Sequence, residues 1–462
     1  MFNPKNHPVH FIGIGGIGMS AIAEILLAQG YPVSGSDIHS TKLTQRLCQC
    51  GAKIYDKHSP ENIHLAKTVV YSSAIHHDNC EIKAAKHKKI PIVHRSEMLS
   101  EIMRRKFSIA VTGSHGKTTT TGMIGEILHQ AGMNPTIVMG GILNTLSSNA
   151  YSGNGDYIVV EADESDASLL NLYPTIAIIT NIDQEHMDHY GSIEKVHEAF
   201  FQFANRPPFY GASILCVDDP VIATFEKKIQ RQCLTYGIDH TAQLMAKNIE
   251  ETGPFQTSFD LVFENKTIDR LSLRLNGQHN VLNALAAIAA CTVLNIPKQI
   301  VRHALSEIQG VQRRMEIRGK RDQVLVIDDY GHHPTEIVAT IKAIKTGWPE
   351  DRLCVLFQPH RYSRTQDLFD FFTQAFHQAD QLILLPIYSA GETPIPEVNS
   401  KKLYQAIKKN LSHKVSYVDT FEEAIQKIDS NQKQLLLTLG AGDIRQAGDL
   451  FLSKDLPRMD NF

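Results

Sequence analysis

Three times along the chain, an apolar run with the character of a β-strand passes into a loop and then into a segment with helical spacing. These runs begin at Val9, Phe107 and Gln323, and further apolar runs bounded by turn residues follow each of them. Alternating strands and helices whose strands are continuously apolar are typical of parallel sheets covered by helices on both faces. The pattern therefore predicts an α/β protein.

The length of 462 residues suggests about three domains, since a domain commonly has about 100–200 residues. The three strand–loop–helix blocks divide the chain in the same way. We therefore predict domains at residues 1–107, 108–314 and 315–462. Residues 205–275 contain short strand-like runs and turns, which favour an insertion or the edge of a sheet.

Composition excludes several classes of protein. The net charge of −3 and the pI near 6.7 give no reason to expect nucleic acid or a polybasic membrane surface. The longest apolar stretch, Val281–Leu294, is too short for a bilayer span and is interrupted by polar residues, so we expect a buried helix. No signal peptide is recognisable at the N-terminus. The seven cysteines have no zinc spacing, which favours reduced thiols in the cytoplasm.

The first glycine-rich loop, Gly13–Gly18, follows a strand and opens a helix. Its glycines allow the backbone to approach a pyrophosphate, and the helix N-terminus supplies N–H donors. The motif alone does not choose between a dinucleotide and a UDP-sugar, and a tight turn without a ligand is the alternative. The predicted binding residues are the loop, the acidic residue placed to meet a ribose, and two serines after the next strand: Gly15, Gly16, Ile17, Gly18, Asp37, Ser72 and Ser73.

A second loop, Thr112–Thr119, is more specific because it has the composition of a phosphate-binding loop between a strand and a helix. Its backbone N–H groups would cradle phosphates, Lys117 would reach the β- and γ-phosphates, and the Thr118 hydroxyl would hold Mg²⁺. The first glycine falls at Gly113, so the loop is shorter than the common G-x-x-x-x-G-K-[ST] pattern. The predicted ATP-binding residues of the loop are Gly113, Ser114, His115, Gly116, Lys117, Thr118 and Thr119.

Acidic and imidazole groups follow two other buried strands. Glu161 opens an acidic segment after the strand at Tyr157, and His186 lies in a polar segment after the strand at Thr175. Carboxylates at the carboxyl end of a strand are suited to a nucleotide-bound Mg²⁺. We predict Thr118, Glu161 and His186 as metal ligands, with an acidic loop and a structural histidine as the alternative.

Further polar groups stand at a helix start and after two strands of the third block. Asn280 and Asn283 are spaced i, i+3 and share one helix face, where caps alone are the alternative. Two segments, around Asp329 and around Arg361, follow apolar strands and should meet at one edge of a sheet. Two arginines there suit a carboxylate or a phosphate, with surface polar loops as the alternative.

Taken in order, these motifs resemble those of the Mur ligase family over almost the whole chain. The resemblance rests on GIGGIGMS at Gly13, GSHGKTTT at Gly113, EADESD at Glu161, DDYGHHP at Asp328 and QPHRY at Gln358. It implies a Rossmann-like N-terminal domain that binds UDP-N-acetylmuramate, a central P-loop ATPase-like domain with a parallel or mixed sheet, and a Rossmann-like C-terminal domain for the amino acid.

The resemblance also implies an activity and further site residues. The activity is ATP-dependent ligation of L-alanine to the lactyl carboxylate of UDP-N-acetylmuramate, through an acyl phosphate and with two Mg²⁺ ions, by a monomer or weak homodimer. Lys117, Glu161 and His186 would be catalytic. ATP would also meet His279, Asn280, Asn283, Arg314 and Asp329, and the amino acid would meet His333, Arg361 and Arg364.

Three other functions remain open at this point. A sister enzyme that adds a whole peptide to UDP-N-acetylmuramate would share the chemistry. An NAD-dependent dehydrogenase would explain Gly13–Gly18 but not Lys117 or the metal ligands. A regulatory protein would bind or hydrolyse ATP without forming an amide.

Overall fold

The protein is seen in a computed structural model, which describes residues 4–144, 148–411 and 415–453. Within these residues the strands form three sheets, of five, ten and six strands. Helices alternate with the strands along the chain. The predicted α/β class is confirmed.

The first sheet is entirely parallel, with the strand order β3-β2-β1-β4-β5. A 3-10 turn at Pro4–Asn6 precedes it. Its elements are β1 (Val9–Ile12), α1 (Ile17–Ala28), β2 (Val33–Ser36), α2 (Lys42–Gln49), β3 (Lys53–Tyr55), β4 (Thr68–Tyr71), α3 (Cys80–His87), β5 (Ile92–His94) and α4 (Arg95–Met103).

The second sheet is mixed, with the strand order β15-β14-β13-β12-β11-β10-β6-β9-β7-β8. Its strands are β6 (Phe107–Thr112), β7 (Thr136–Leu143), β8 (Ser148–Tyr151), β9 (Tyr157–Glu161), β10 (Ile176–Ile179), β11 (Ala212–Cys216), β12 (Gln232–Gly237), β13 (Leu244–Gly253), β14 (Gln256–Phe263) and β15 (Lys266–Leu273). Its helices are α5 (Lys117–Gln130), α6 (Met187–Tyr190), α7 (Ile193–Ala204), α8 (Pro220–Glu226), α9 (Gln278–Val293) and α10 (Lys298–Glu307), with a 3-10 turn at Ser168–Asn171.

The strand order of this second sheet places a crevice beside β6. The chain passes from β6 through α5 to β7 on one side, whereas β10 pairs with β6 on the other. Ligands of open α/β sheets bind at such a reversal, outside the carboxyl ends of the strands. The loop after β6 is therefore where the fold itself favours a ligand. β13, β14 and β15 extend the far edge of the sheet, as predicted for residues 205–275.

The third sheet has the strand order β16-β17-β21-β18-β19-β20, and only β16 is antiparallel to its neighbour. Its strands are β16 (Glu316–Arg321), β17 (Val324–Asp329), β18 (Arg352–Phe357), β19 (Gln381–Leu384), β20 (Val415–Tyr417) and β21 (Gln434–Leu439). Its helices are α11 (Pro334–Gly347), α12 (Tyr362–Asp367), α13 (Phe369–Gln374), α14 (Ser400–Asn410), α15 (Phe421–Gln426) and α16 (Arg445–Leu452).

Successive residues of β18 are buried on opposite faces of this sheet. Leu353, Val355 and Phe357 pack in one apolar cluster, and Cys354 and Leu356 pack in another. Side chains alternate along a strand, so a strand with both faces covered must be apolar throughout. This confirms the buried parallel strands that the continuous apolar runs predicted.

Contacts group the chain into two compact units. The first contains the residues up to Ile249, with Phe259–Leu273 and Asn280–Gln309, and the second contains Glu250–Ser258, Arg274–His279 and the residues from Gly310 onward. The first predicted domain and most of the second fall in the first unit, and the two predicted boundaries stay predictions. None of the described helices has the length and apolar character of a membrane span. All seven cysteines are unpaired.

A buried carboxylate fixes the core of the first sheet. Glu81 of α3 is 0% exposed and accepts hydrogen bonds from Ser36 Oγ at 2.6 Å, Asn62 Nδ2 at 2.6 Å and the Ser59 N–H at 3.2 Å. Its Oε2 lies 3.6 Å from His10 Nε2. Burial alone would raise the pKa of Glu81, but the nearby His10 imidazole and the hydrogen bonds from Ser36 and Asn62 outweigh it and lower the pKa to about 2. This one carboxylate therefore ties α3 to β1, β2 and the turn at Ser59.

Replacing Glu81 should loosen this sheet, because three buried donors would lose their acceptor. We expect Glu81→Ala to lower the local stability by about 3 kcal/mol, the range for removing one partner of a buried ionic network. Hydrogen exchange of the β1 and β2 amides would then quicken by roughly a hundredfold. Glu101→Ala on α4, whose side chain is 61% exposed, is the matched control and should change exchange little.

The same carboxylate predicts a pH dependence. The folded-state pKa of Glu81 lies below the ordinary value of 4.5, so its contribution is present above that pH and is lost as the pH falls toward about 2. Protection of the β1 amides should fall over this range in the wild type. A Glu81→Ala chain that loses protection equally would contradict the assignment.

Candidate active site

The loop after β6 can be built only with glycine at two positions. Gly113 has φ +138° and Gly116 has φ +82°. A Cβ added to Gly113 would lie 2.0 Å from Thr180 Oγ1, and one added to Gly116 would lie 2.3 Å from Asn283 Oδ1. Both the left-handed backbone and the crowding exclude other residues. The loop thus ends in a tight turn that leads directly into α5.

Residues after β10 hold this loop in place. The Asn181 side chain accepts from the His115 N–H at 2.8 Å and donates to the His115 carbonyl at 3.1 Å. Thr180 Oγ1 donates to the same carbonyl at 2.6 Å, and the Asp183 N–H donates to Ser114 Oγ at 2.8 Å. Neither Thr180 nor Asn181 was among the site residues predicted from the sequence. Both residues directly follow β10, the neighbour of β6, and that position is the sequence feature that could have identified them.

Lys117, the first residue of α5, has its ammonium group bonded on all sides. Nζ donates to the Gly113 carbonyl at 2.5 Å, to the Ser114 carbonyl at 3.0 Å and to Glu164 Oε1 at 2.7 Å. Its side chain is 15% exposed. Burial alone would lower the pKa of Lys117, but the carboxylates of Glu164 and Glu161 outweigh it and raise the pKa. The loop therefore carries a permanent positive charge.

Thr118 and Glu161 come together as the sequence predicted. Thr118 Oγ1 lies 3.0 Å from both carboxylate oxygens of Glu161. The Gly140 N–H donates to Glu161 Oε2 at 2.6 Å, which fixes the carboxylate at the end of β9. A hydroxyl and a carboxylate are hard oxygen ligands of the kind that Mg²⁺ prefers. The pair therefore fits one Mg²⁺ ion.

His186 stands with two carboxylates rather than with Glu161. It has φ +59°, and its Nε2 lies 3.6 Å from Glu164 Oε1 and 3.4 Å from Glu185 Oε2. Burial alone would lower the pKa of His186, but the hydrogen bond and charge of Glu164 outweigh it and raise the pKa. The ligand atoms of these three residues lie within 4.8 Å of one another. The donor set fits a second divalent cation.

The acidic segment after β9 also contacts the first sheet. Arg95 Nη2 donates to Asp163 Oδ2 at 2.6 Å. Ser73 Oγ donates to Asp166 Oδ2, and His94 Nε2 lies 3.8 Å from the same oxygen. Burial alone would raise the pKa of Asp163, but Arg95 outweighs it and lowers the pKa to about 2. Arg95 was not among the predicted site residues, because its position at a helix start gave no functional signal.

The first glycine-rich loop closes on Asp37. The Gly15 N–H donates to Asp37 Oδ2 at 2.8 Å, and the His39 N–H donates to Oδ1 at 3.0 Å. A Cβ on Gly18 would lie 3.2 Å from Arg95 Nη1. Asp37 therefore stabilises the loop itself, and its predicted ribose contact stays a prediction. Gly16, Ile17 and Ser72 lie at the carboxyl edge of the same sheet, after β1 and β4.

The two predicted asparagines of α9 do share a face. Asn283 Nδ2 donates to Asn280 Oδ1 at 3.2 Å, and Thr120 Oγ1 donates to Asn283 Oδ1 at 3.2 Å. α9 is thereby tied to α5, directly beside Gly116. Burial, and then Arg314, lower the pKa of His279 to about 4, so this imidazole is neutral.

Loops of the third sheet gather at its carboxyl edge, as predicted, because β17 and β18 both pair in parallel with β21. Asp329 accepts from the N–H groups of Met315 and Gly331, both at 2.8 Å, and burial raises its pKa to about 6. His333 caps α11 together with Glu336.

The predicted arginines of this edge have partners of their own. Arg314 Nη1 lies 3.3 Å from Glu336 Oε1, and Arg364 Nη1 lies 3.3 Å from His360 Nδ1. Arg361 has φ +73°, and its N–H donates to the Tyr388 carbonyl at 2.8 Å. The carboxylate of Asp329 and the imidazole of His333 thus have structural roles, and the substrate contacts predicted for all five residues stay predictions.

Comparison with known proteins decides the family. The family models "Mur ligase family, catalytic domain", "Mur ligase middle domain" and "Mur ligase, glutamate ligase domain" match residues 8–107, 111–291 and 313–442. The chain belongs to the Mur ligase family. The resemblance found in the sequence is thus confirmed, and this Mur ligase is an ATP-dependent ligase.

Individual relatives extend the match to nearly the whole chain. A UDP-N-acetylmuramate–L-alanine ligase of Desulfatibacillum aliphaticivorans is 47% identical over 97% of this chain and 99% of its own. The enzyme of the same name from Geobacter sp. (strain M21) is 46% identical over 97% of both. The crystal structure of a UDP-N-acetylmuramate-alanine ligase from Thermotoga maritima has a TM-score of 0.83 at 30% identity, covering 96% of this chain and 98% of that one. A murein peptide ligase from Psychrobacter arcticus shares the fold, with a TM-score of 0.70 at 23% identity and coverage of 96% and 98%.

Because the phosphate loop is crowded at Gly113, a single methyl group added there should weaken nucleotide binding. Gly113→Ala should weaken ADP binding more than tenfold, because a strained φ and a clash with Thr180 together cost at least about 2 kcal/mol. Isothermal titration calorimetry would measure the loss. Gly132→Asn is the control, since Gly132 has φ +73° with no atom within 4 Å of its Cβ, and asparagine tolerates that conformation. Equal affinity in Gly113→Ala and wild type would contradict the loop assignment.

Proposed function

We propose that this chain joins L-alanine to the lactyl carboxylate of UDP-N-acetylmuramate, with ATP giving ADP and phosphate, in the cytoplasmic synthesis of peptidoglycan precursors. The observation that carries the proposal is the phosphate loop with its buried Lys117, beside the Thr118–Glu161 pair, at the switch point of the second sheet. The activity of relatives that match the chain at 44–47% identity from end to end supports the choice of substrates.

The reaction sets an electrostatic requirement that these residues meet. An oxygen of the lactyl carboxylate attacks the γ-phosphorus of ATP, the bond to ADP breaks, and an acyl phosphate forms. Two anions must approach one another, so cations have to stand where they meet. Lys117 supplies a positive charge from the chain itself. Mg²⁺ held by Thr118 and Glu161, with a second ion at His186, would add further charge at the phosphates.

Amide formation completes the reaction. The amine nitrogen of L-alanine attacks the acyl carbon, the bond to the phosphate oxygen breaks, and the nitrogen loses a proton. Phosphate and the amide product result. The amine must be neutral to attack, which requires a group that accepts its proton and a site that excludes water from the acyl phosphate.

The site residues divide among the three ligands of this proposal, in domains bounded near residues 107 and 315. Gly15, Gly16, Ile17, Gly18, Asp37, Ser72 and Ser73 would bind the sugar nucleotide. The loop Gly113–Thr119 would bind ATP together with His279, Asn280, Asn283, Arg314 and Asp329. His333, Arg361 and Arg364 would meet the amino acid. The chain would act as a monomer or a weak homodimer.

Phosphate release tests the proposed substrates. We expect release from ATP and Mg²⁺ only when both UDP-N-acetylmuramate and L-alanine are present, with a product of the summed mass less one water. Lys117→Met should abolish it, since the cation at the phosphates is lost. Release that needs a peptide in place of L-alanine would assign the chain to the sister activity. Release that is independent of the sugar nucleotide would refute the proposal.

The metal ligands make a separate prediction. Glu161→Gln should raise the Mg²⁺ concentration for half-maximal activity at least tenfold, because a neutral amide binds the ion more weakly than a carboxylate. Glu126→Gln, a similar substitution on α5, should leave that concentration unchanged. The two titrations should be run at saturating ATP. Equal Mg²⁺ requirements in Glu161→Gln and wild type would exclude Glu161 as a ligand.

A further inference from the structure

Glu164 occupies a position that the reaction described above does not use. It is 4% exposed, and its Oε1 accepts from Lys117 Nζ at 2.7 Å. Its other oxygen, Oε2, is buried and has no hydrogen-bond partner among the residues that the structure describes. A buried carboxylate with one oxygen unsatisfied is costly to maintain. Such a residue calls for an explanation beyond packing.

Lys117 has three N–H donors, and protein groups accept from all three. Two of the acceptors are carbonyls of the phosphate loop itself, at Gly113 and Ser114, and the third is Glu164. A phosphate oxygen can bind Nζ only where one of these acceptors leaves. The two carbonyls are fixed by the loop backbone, so Glu164 is the acceptor that can be displaced.

The geometry around Glu164 allows its side chain to move while its backbone stays. The Tyr190 hydroxyl donates to the Glu164 carbonyl at 2.7 Å, which pins the main chain. His186 Nε2 lies only 3.6 Å from the same Oε1 that Lys117 contacts. A rotation of the side chain can therefore exchange Lys117 for His186 as the partner of the carboxylate.

We propose that Glu164 is a positioning residue that holds Lys117 before nucleotide binds and passes to His186 when phosphate oxygens take its place. This inference rests on the proposed ATP site at the phosphate loop. Glu164 keeps the buried ammonium balanced and the loop formed, and it competes with the nucleotide for the same donor. After the exchange its carboxylate lies beside the imidazole of His186 and keeps that ring oriented toward the phosphates.

Because Glu164 competes with the nucleotide for Lys117, removing its charge should tighten nucleotide binding. A purely structural role would not predict tighter binding. Glu164→Gln keeps the size of the side chain but removes the charge that Lys117 must give up. We expect ADP to bind about fivefold more tightly to this variant in the absence of Mg²⁺, within the range covered by one charge-assisted hydrogen bond. In turnover, KM for ATP should fall and kcat should fall about tenfold, because His186 loses its carboxylate partner.

The experiment compares wild type, Glu164→Gln, Glu198→Gln and Lys117→Met by calorimetric titration with ADP. Glu198 lies on α7, where it accepts from Gln202, and the same change of charge there should leave ADP affinity unchanged. Should Glu164→Gln fail to fold, Glu164→Asp makes the same test, since its shorter side chain withdraws the carboxylate from Nζ. Weaker or unchanged ADP binding in the Glu164 variant would overturn the inference. Wild-type affinity in Lys117→Met would instead refute the ATP site itself.

Discussion

The ammonium of Lys117 is a permanent charge at a place that little water reaches, and the surrounding residues are arranged to balance it. An ammonium removed from water is strongly destabilising unless every donor is bonded and an opposite charge lies close. Two loop carbonyls and Glu164 meet the first demand, and Glu164 with Glu161 meets the second. A site that binds phosphate needs this cation in place before the ligand arrives. The carboxylates of Glu164 and Glu161 stabilise the cation there.

The phosphate loop depends on segments that are distant in sequence. Gly113 fits against Thr180 and Gly116 fits against Asn283, so the loop, the end of β10 and the start of α9 have to be in place together. The pairing of β6 with β10 brings the first two together. A bond from Thr120 to Asn283 brings the third. The stability of the loop therefore depends on the surrounding sheet and on α9 as well as on its own glycines.

The same acidic segment after β9 serves two neighbours at once. Glu161 meets Thr118 of α5, whereas Asp163 and Asp166 meet Arg95 and Ser73 beyond the first sheet. Three carboxylates of one short segment thus join the predicted metal ligands to the edge where a sugar nucleotide would bind.

Sequence patterns predicted the sheets, the strand ends and the positions of the main loops, because these depend on local periodicity and on turn residues. Asn280 and Asn283 were predicted on one face from their i, i+3 spacing, whereas Glu161 and Thr118 were predicted together as ligands of a nucleotide-bound Mg²⁺. The pattern could not tell that Glu164 would face Lys117 or that Arg95 would face Asp163. Those contacts depend on which strands are neighbours and on the direction of each side chain, and no local pattern records either.

Asp37 and Asp329 are residues for which the sequence predicted a ligand contact and the structure shows a structural role. Each follows a strand where an acid can meet a ribose, yet each accepts hydrogen bonds from nearby backbone N–H groups. A carboxylate after a strand can serve its own loop, and a sequence does not distinguish this from ligand binding. The same limit applies to the choice between an amino acid and a peptide as the incoming group. The phosphate chemistry is common to ligases that add an amino acid and to those that add a peptide, so the choice of incoming group has to come from other residues. One methyl group is worth only about 1–3 kcal/mol in a pocket, so that choice requires shape and charge from several side chains, for which the loops after β17 and β18 are the candidates.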